Sequence, residues 1–230
     1  RYYQLSADPE HGQSVLENLY LGGESGKEDE EKALDRMLAG TGIAVSRPED
    51  VDVAAAGLLA EGQVVARCRG RMEWGPRALG NRSILADPRR AGMKAIVNTK
   101  IKFREPFRPF APVVPEHRAP EFFDLGRAAG QYPPRFMLMV SPVWPDKQAI
   151  IPAVSHMGTG RLQTIRREWN PRYYDIIDAF GQQTGVPVLM NTSFNLRGEP
   201  IVTTPANAFN TFGKSDIDLL VLERFVVRKG

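Results

Sequence analysis

The sequence predicts an α/β (α+β) protein built on a mixed, open sheet with helices on its faces. Three observations carry this expectation. Apolar runs of strand length, such as Gln63–Arg67 (QVVAR), alternate with stretches of helical period, such as Pro171–Gln183. The two kinds follow one another without a strict βαβ rhythm, which argues for a mixed sheet over a parallel one. Hydrophobic residues at 42% and charged residues at 25% of 230 residues suit one sizeable globular core, with or without a short extra segment.

Taken in order, residues 1–46 differ from the rest. HGQSVLENLYLGG reads as a short helix ending at Gly22-Gly23, and ESGKEDEEKALDRMLAG as a second, charged helix. Ser25 and Glu28 of the latter stand at capping-box spacing. Neither holds enough apolar surface to be a domain, so 1–46 reads as a helical connector. The remainder, 47–230, reads as one domain. Val51–Glu61 has an amphipathic helical pattern, Gln63–Arg67 is a buried strand, and Ser83–Ala86 is strand-like. A helix is expected near Arg90–Ile101, an extended proline-punctuated segment over Phe107–Val114, and a helical stretch over Glu116–Leu125. A loop at Arg127–Pro134 precedes a strand at Phe136–Ser141, and Leu162–Arg166 is another strand. Tyr173, Ile177 and Phe180 repeat at helical spacing within Pro171–Gln183. Val186–Met190 is a buried strand feeding an NTSFN loop, Pro205–Gly213 a helix, and Leu219–Val227 the final strands.

Charge is distributed unevenly. From Arg67 to Arg108 there are twelve Lys or Arg against three acids, while the whole chain carries only +3. Such a concentration is self-repelling unless it faces an anion, so it points to a phosphate-bearing ligand. GPRALG (Gly75–Gly80) sets Arg77 between two glycines and a proline, a way to aim a guanidinium at a ligand; a structural turn with a solvent-facing Arg is the plainer reading. In KIKFREPFRPFAP (Lys100–Pro112) an extended backbone would line Lys100, Lys102 and Arg104 along one face, with Phe103, Phe107 and Phe110 as anchors. Arg108 adds a planar fork suited to phosphate. An edge strand guarded by lysines would look similar. NTSFNLRGEP (Asn191–Pro200) offers hydroxyls and amides, notably Thr192, Ser193 and Asn195, at a strand's end; these are also ordinary turn formers. SHMGTGRLQTI resembles a glycine hairpin with Arg161 at the start of a strand.

Several classes are excluded or disfavoured. The single cysteine, Cys68, allows no intrachain disulfide, and a reducing, cytoplasmic setting follows by default. There is no apolar run of membrane-spanning length and no signal-peptide pattern. The first residue is not Met, which reads as a fragment or a processed piece. His11, His117, His156 and Cys68 give no metal-ligand spacing, and His156 reads as structural. Catalytic triad, Walker lysine and Rossmann patterns are absent.

Taken together, GRMEWGPRALGNRSILADPR, KIKFREPFRPFAP, TGVPVLMNTSFNLRGEPIV and LLVLERFVVRK resemble the C-terminal domain of the O-carbamoyltransferases, which include enzymes acting on antibiotics and nodulation factors. The resemblance spans about residues 48–229. It implies a YrdC-like domain whose twisted mixed sheet presents a concave face to ATP and carbamoyl phosphate. It further implies formation of carbamoyl-adenylate and pyrophosphate, with Mg2+ accompanying ATP. Lys102 and Arg108 match the family's Lys and Arg on one side of the cleft, Ser193 and Asn195 its Ser-x-Asn on the other. Arg77 and Arg161 match further basic positions, and Thr192 lies beside them.

In that family a separate N-terminal domain, with its own metal site, passes the carbamoyl group to an acceptor hydroxyl. The motifs of that domain are not present here, and residues 11–23 resemble its last helix. The resemblance therefore implies only the adenylate-forming half, with the transfer domain and an acceptor small molecule as partners. A threonylcarbamoyl-adenylate synthase-like enzyme would share the fold but lack the GPRALG and FREPFRPFAP elements. A basic RNA-binding module is a second alternative, disfavoured by the lack of aromatics spaced for base stacking. A non-catalytic interaction domain is a third.

Overall fold

The computed structural model describes residues 5–7, 14–16, 20–23, 28, 31, 32, 36, 43–103, 105 and 107–229. The elements run β1 (Leu5–Ala7), β2 (Ser14–Leu16), β3 (Ala44–Ser46), α1 (Val51–Ala60), β4 (Val65–Cys68) and β5 (Arg82–Ala86). Next come α2 (Met93–Val97), a π turn (Asn98–Lys102), β6 (Ala111–Pro115), a 3-10 helix (Glu116–Glu121), α3 (Tyr132–Arg135), β7 (Val140–Pro142) and α4 (Pro145–Gln148). The chain closes with β8 (Thr159–Arg161), β9 (Gln163–Ile165), α5 (Pro171–Thr184), β10 (Leu189–Ser193), α6 (Pro205–Gly213), β11 (Leu219–Val221) and β12 (Val226–Arg228).

The main sheet has eight strands in the order β3-β12-β11-β4-β5-β10-β6-β9. The pairs β11–β4 and β6–β9 are parallel and the others antiparallel, so the sheet is mixed as expected. Strand alternation sends two apolar sets to opposite faces. On one face Val65, Leu85, Val113, Leu189 and Ile165 pack under α1 and α5, with Tyr173, Ile176, Ile177 and Phe180 of α5 fully buried. On the other, Ala66, Ile84, Val114 and Met190 meet Met93, Val97 and Ile101 from α2 and the π turn, and Phe209 and Phe212 from α6.

Local chemistry sets the helix ends. Asp50 caps α1, its Oδ1 accepting from Asp52 N at 2.9 Å and Val53 N at 3.0 Å. Asn170 caps α5 by accepting from Tyr173 N at 3.1 Å, Pro171 opens it, and Gly185 closes it at φ 75°. Thr204 and Asn207 form a capping box ahead of α6. Each such cap contributes on the order of 1 kcal/mol.

Some expectations need correction. Within the segment read as a helix over 11–23, Ser14–Leu16 is a strand that pairs antiparallel with Leu5–Ala7; backbone pairing between two chain segments overrides a weak local helical pattern. The charged stretch is helical at its described residues 28, 31, 32 and 36, and Ser25 of the capping box lies outside the described residues. Ala44–Ser46 hydrogen-bonds to β12, so the main sheet starts just ahead of position 47. The strand expected over Phe136–Ser141 is confined to Val140–Pro142, because Met137 adopts φ 57° and breaks extended structure. Residues 132–135 of the expected loop form a helical turn opened by prolines.

The basic segment divides into two populations. Arg67, Arg69 and Arg82 are buried, and their partners are internal. Arg69 pairs with Asp52 at 2.6 Å and donates to Glu223 O at 2.9 Å. Arg82 donates to the carbonyls of Arg69, Gly70, Asn81 and Thr203 at 2.9–3.2 Å. Arg67 Nη1 donates to Gly80 O at 2.6 Å, its guanidinium lies 5.5 Å from the Tyr173 ring centroid, and burial lowers its pKa to about 10. These three cations hold the fold together, so a smaller share of the charge faces outward than the sequence count implies.

Candidate functional site

The site is assembled at the end of the sheet where β10 stops and β5 and β6 begin. Strand β10 extends past Met190 through Asn191-Thr192-Ser193, paired with Leu85, Ile84 and Ser83 of β5. The polar residues expected in a loop are therefore fixed by a ladder. Phe194 is fully buried, donates its N–H to Arg82 O at 2.8 Å, and accepts from Val202 N at 3.0 Å. That plug sets the direction of the turn carrying Asn195. Glu199 then ties the turn back, its Oε2 accepting from Leu196 N and Thr211 Oγ1, each at 3.1 Å.

Lys102 reaches this turn from the π turn. A π turn holds one residue more than an α turn, and here it ends in Phe103 with left-handed φ 45°, an uncommon conformation for a bulky residue. Residues two apart in a helical turn point to opposite sides, so Lys102 and Lys100 diverge. Lys102 Nζ donates to Ser193 O at 2.5 Å, Asn195 Oδ1 at 2.8 Å and Asn195 O at 2.9 Å, with Ser193 Oγ at 3.3 Å. Lys100 pairs with Asp218 at 3.5 Å. The expected shared face of Lys100, Lys102 and Arg104 required extended backbone, which residues 98–102 do not have; Arg104 lies outside the described residues. The phenylalanines also divide: Phe110 is buried, but Phe103 and Phe107 are 55% and 69% exposed and anchor nothing in the core.

Ser193 Oγ donates to Asn195 Oδ1 at 2.7 Å, and Asn195 Nδ2 donates to Glu199 O at 2.8 Å. Lys102, Arg108, Ser193 and Asn195 thus line one cleft of about 240 Å³, together with Glu105, Leu196, Arg197 and Gly198. Arg197 donates to Phe103 O at 3.3 Å and ties the two walls. Arg108 is half-exposed, with Glu105 at 2.8 Å from its Nε. Thr192 does not line this cleft, because alternation along β10 turns it to the face opposite Ser193.

Arg77 and Arg161 lie outside that cleft, and Arg77 acts on Arg161 electrostatically. Arg161 stands opposite Val140 in the β7–β8 hairpin, half-buried, and its Nε is buried without a partner among the described residues. Burial, and after it the neighbouring Arg77 guanidinium, lower the pKa of Arg161. Two like charges that act on one another favour a bound anion between them. Ala78, next to Arg77, has its carbonyl bound by Asn191 Nδ2 at 3.1 Å, two residues before Ser193 on the same strand. Glu105 and Arg197 went unnoticed in the sequence, although both sit inside the two motifs that supply the cleft.

A family model described as "Carbamoyltransferase C-terminus" matches residues 56–229. The chain belongs to the carbamoyltransferase C-terminus family. It is 44% identical over 232 residues to nodulation protein NolNO of Sinorhizobium fredii, covering 98% of this chain and 33% of that protein. It is also 44% identical over 215 residues to nodulation protein NolO of Bradyrhizobium diazoefficiens, covering 93% and 39%. The chain thus spans little more than a third of the length of these curated relatives. Among solved structures, full-length HypF in its phosphate- and nucleotide-bound form superposes with a TM-score of 0.51 at 16% identity, over 82% of this chain and 23% of HypF. At that identity the likeness concerns the fold, and it agrees with the expected YrdC-like mixed sheet. Among the described residues, no helix is long and apolar enough to cross a membrane.

Proposed function

We propose that this carbamoyltransferase domain binds ATP and carbamoyl phosphate in the Lys102–Arg108–Ser193–Asn195 cleft and forms carbamoyl-adenylate with release of pyrophosphate. The observation that carries the reading is the convergence of Lys102 and Arg108 with a Ser-x-Asn turn at one sheet end. Carbamoyl phosphate and water give carbamate and phosphate. A carbamate oxygen then attacks the α-phosphorus of ATP; a new P–O bond forms, the bond to the β-phosphate bridging oxygen breaks, and its electron pair leaves on pyrophosphate. Negative charge accumulates on nonbridging and leaving oxygens, where fixed cations lower the barrier. Carbamate is already anionic, so the step needs no general base.

The geometry supports the following residue roles. Lys102 is pre-oriented by four oxygens and loses little freedom when one is exchanged for a phosphate oxygen. Ser193 and Asn195 hold that ammonium in place through their backbone carbonyls and side-chain oxygens. Arg108 supplies a planar fork, and Arg77 with Arg161 neutralises a second phosphate group. Among the described residues no group of three or more His, Cys, Asp or Glu is arranged to hold a metal, so Mg2+ is read as part of the nucleotide substrate, held by its phosphates. A separate N-terminal transfer domain would pass the carbamoyl group to an acceptor hydroxyl.

The test is pyrophosphate release from ATP with and without carbamoyl phosphate, beside Lys102→Ala and Ser193→Ala. Release that depends on carbamoyl phosphate and falls by about 10²-fold in Lys102→Ala supports the reading. Release unaffected by either substitution refutes it.

A further inference from the structure

The loop that carries Arg77 has two unlike limbs. Trp74, Gly75 and Pro76 are exposed, whereas Ala78–Arg82 is buried and closely hydrogen-bonded. Asn191 binds Ala78 O; Gln163 at 3.0 Å and Tyr20 at 2.9 Å bind Leu79 O; Ser83 Oγ accepts from Gly80 N at 3.0 Å; Arg67 binds Gly80 O. Each of these groups binds one backbone atom of the limb, and Arg67 also donates to Asn81 Oδ1 at 3.2 Å. Glu73 differs. Its carboxylate, 5% exposed, accepts through Oε1 from Leu79 N at 2.8 Å, Asn81 N at 2.7 Å and Arg82 N at 3.3 Å. Because Glu73 itself begins the loop, this one side chain clasps both ends of residues 74–82.

The clasp has electrostatic work to do. Arg77 acts electrostatically on Arg161, lowering its pKa, and two guanidiniums repel. In a loop free to move, Arg77 would swing into solvent, where water screens the repulsion. We infer that Glu73 is a positioning residue that fixes Arg77 against Arg161 for anion binding, an assignment that rests on the phosphate-binding reading of that pair. The Glu73 carboxylate makes no contact with the ligand; it acts through the backbone amides of Leu79, Asn81 and Arg82. A buried carboxylate accepting several N–H bonds is expensive to remove, because the donors lose their partner in a place water does not reach.

Two readouts separate this inference from the function it builds on. One is the affinity for inorganic pyrophosphate by calorimetry in wild type, Glu73→Ala, Glu73→Gln, Arg77→Ala and the Glu73→Ala/Arg77→Ala double variant. The other is ligand-free: the Arg77 Nε–H resonance of 15N-labelled protein, with amide exchange at Leu79, Asn81 and Arg82. Glu73→Ala is expected to weaken pyrophosphate binding about tenfold, as Arg77→Ala does, with no further loss in the double variant. Glu73→Gln keeps a carbonyl oxygen for the three amides and is expected to bind within about threefold of wild type. In Glu73→Ala the Arg77 resonance is expected to collapse to its random-coil position and the three amides to exchange faster. Effects that multiply in the double variant, or an Arg77 resonance unmoved by Glu73→Ala, would overturn the inference. A wild type that binds no pyrophosphate, but whose Arg77 resonance collapses in Glu73→Ala, would sink the phosphate reading and keep the positioning role. Should Glu73→Ala not fold, Glu73→Asp, shorter by one methylene, is read in its place with the same direction expected.

Discussion

Gly80→Ala is the substitution whose cost can be worked out most directly. Gly80 has φ 123°, and a Cβ built there would lie 2.2 Å from Tyr173 Cδ1, 2.4 Å from Cγ and 2.5 Å from Cε1. Relaxed carbon contacts lie at about 3.5–4.0 Å, so the ring would have to retreat by more than about 1 Å. It has little room to move: Tyr173 is 0% exposed, and the Arg67 guanidinium lies 5.5 Å from its ring centroid. Overpacking of this kind costs about 1–3 kcal/mol, and the backbone conformation adds about 1–3 kcal/mol for a residue with a side chain. A total near 3 kcal/mol would lower the urea midpoint by about 1–1.5 M at a typical slope. Equilibrium urea unfolding of wild type, Gly80→Ala, Tyr173→Leu and the double variant resolves the two contributions. Tyr173→Leu carries its own cavity cost, so the informative quantity is the coupling, expected at about 1–2 kcal/mol in favour of the double variant. A Gly80→Ala midpoint within about 0.3 M of wild type, or a coupling of zero, would refute the clash.

Other outcomes are equally specific. Tyr173 OH is buried without a partner among the described residues, so Tyr173→Phe is expected to leave the melting temperature at pH 7 unchanged or raise it. Burial raises the pKa of Tyr173 and of Tyr20, so above pH ~10 the unfolded chain releases protons that the folded chain keeps. Their contribution is therefore complete below pH ~10 and is lost as pH rises beyond it; Tyr173→Phe should show a smaller fall in melting temperature between pH 8 and 10.5 than wild type. An equal fall would contradict the assignment. Glu105 occupies Arg108 in the cleft, so Glu105→Gln should tighten pyrophosphate binding about two- to fivefold by calorimetry; weaker binding would mean that Glu105 helps hold the ligand.

The parts of the fold legible in the sequence are those fixed by local chemistry. α6 begins and ends where the Thr204-Pro205 start and the pattern that follows place it, and α5 is bounded by Asn170-Pro171 and Gly185. The parts that were not legible depend on partners far away in the chain. Nothing near Arg67 or Arg69 reveals Asp52 and Glu223, and nothing near Arg82 reveals Thr203 O. A local charge count therefore overstated the cationic surface. β10 ran longer than its apolar pattern because Asn191 has internal partners in Ala78 and Gln163, which lets a polar residue sit in a buried ladder. The membership of the cleft was legible by motif, but the opposed directions of Lys100 and Lys102 were not, since the motif reads as extended and residues 98–102 are helical.

That π turn makes chain length, more than side-chain identity, the sensitive variable between Met93 and Phe103. Each residue in a helix advances the side-chain direction by about 100°. Losing one residue from 98–101 would let the segment relax into a regular α-helix, with no loss of apolar character. The same deletion would swing the Lys102 ammonium away from Ser193 and Asn195. A chain altered in this way could fold, melt and diffuse much like its parent and yet have no cation at the mouth of β10. In aligned sequences of such domains, a gap in this stretch is thus more telling about chemistry than any single substitution there.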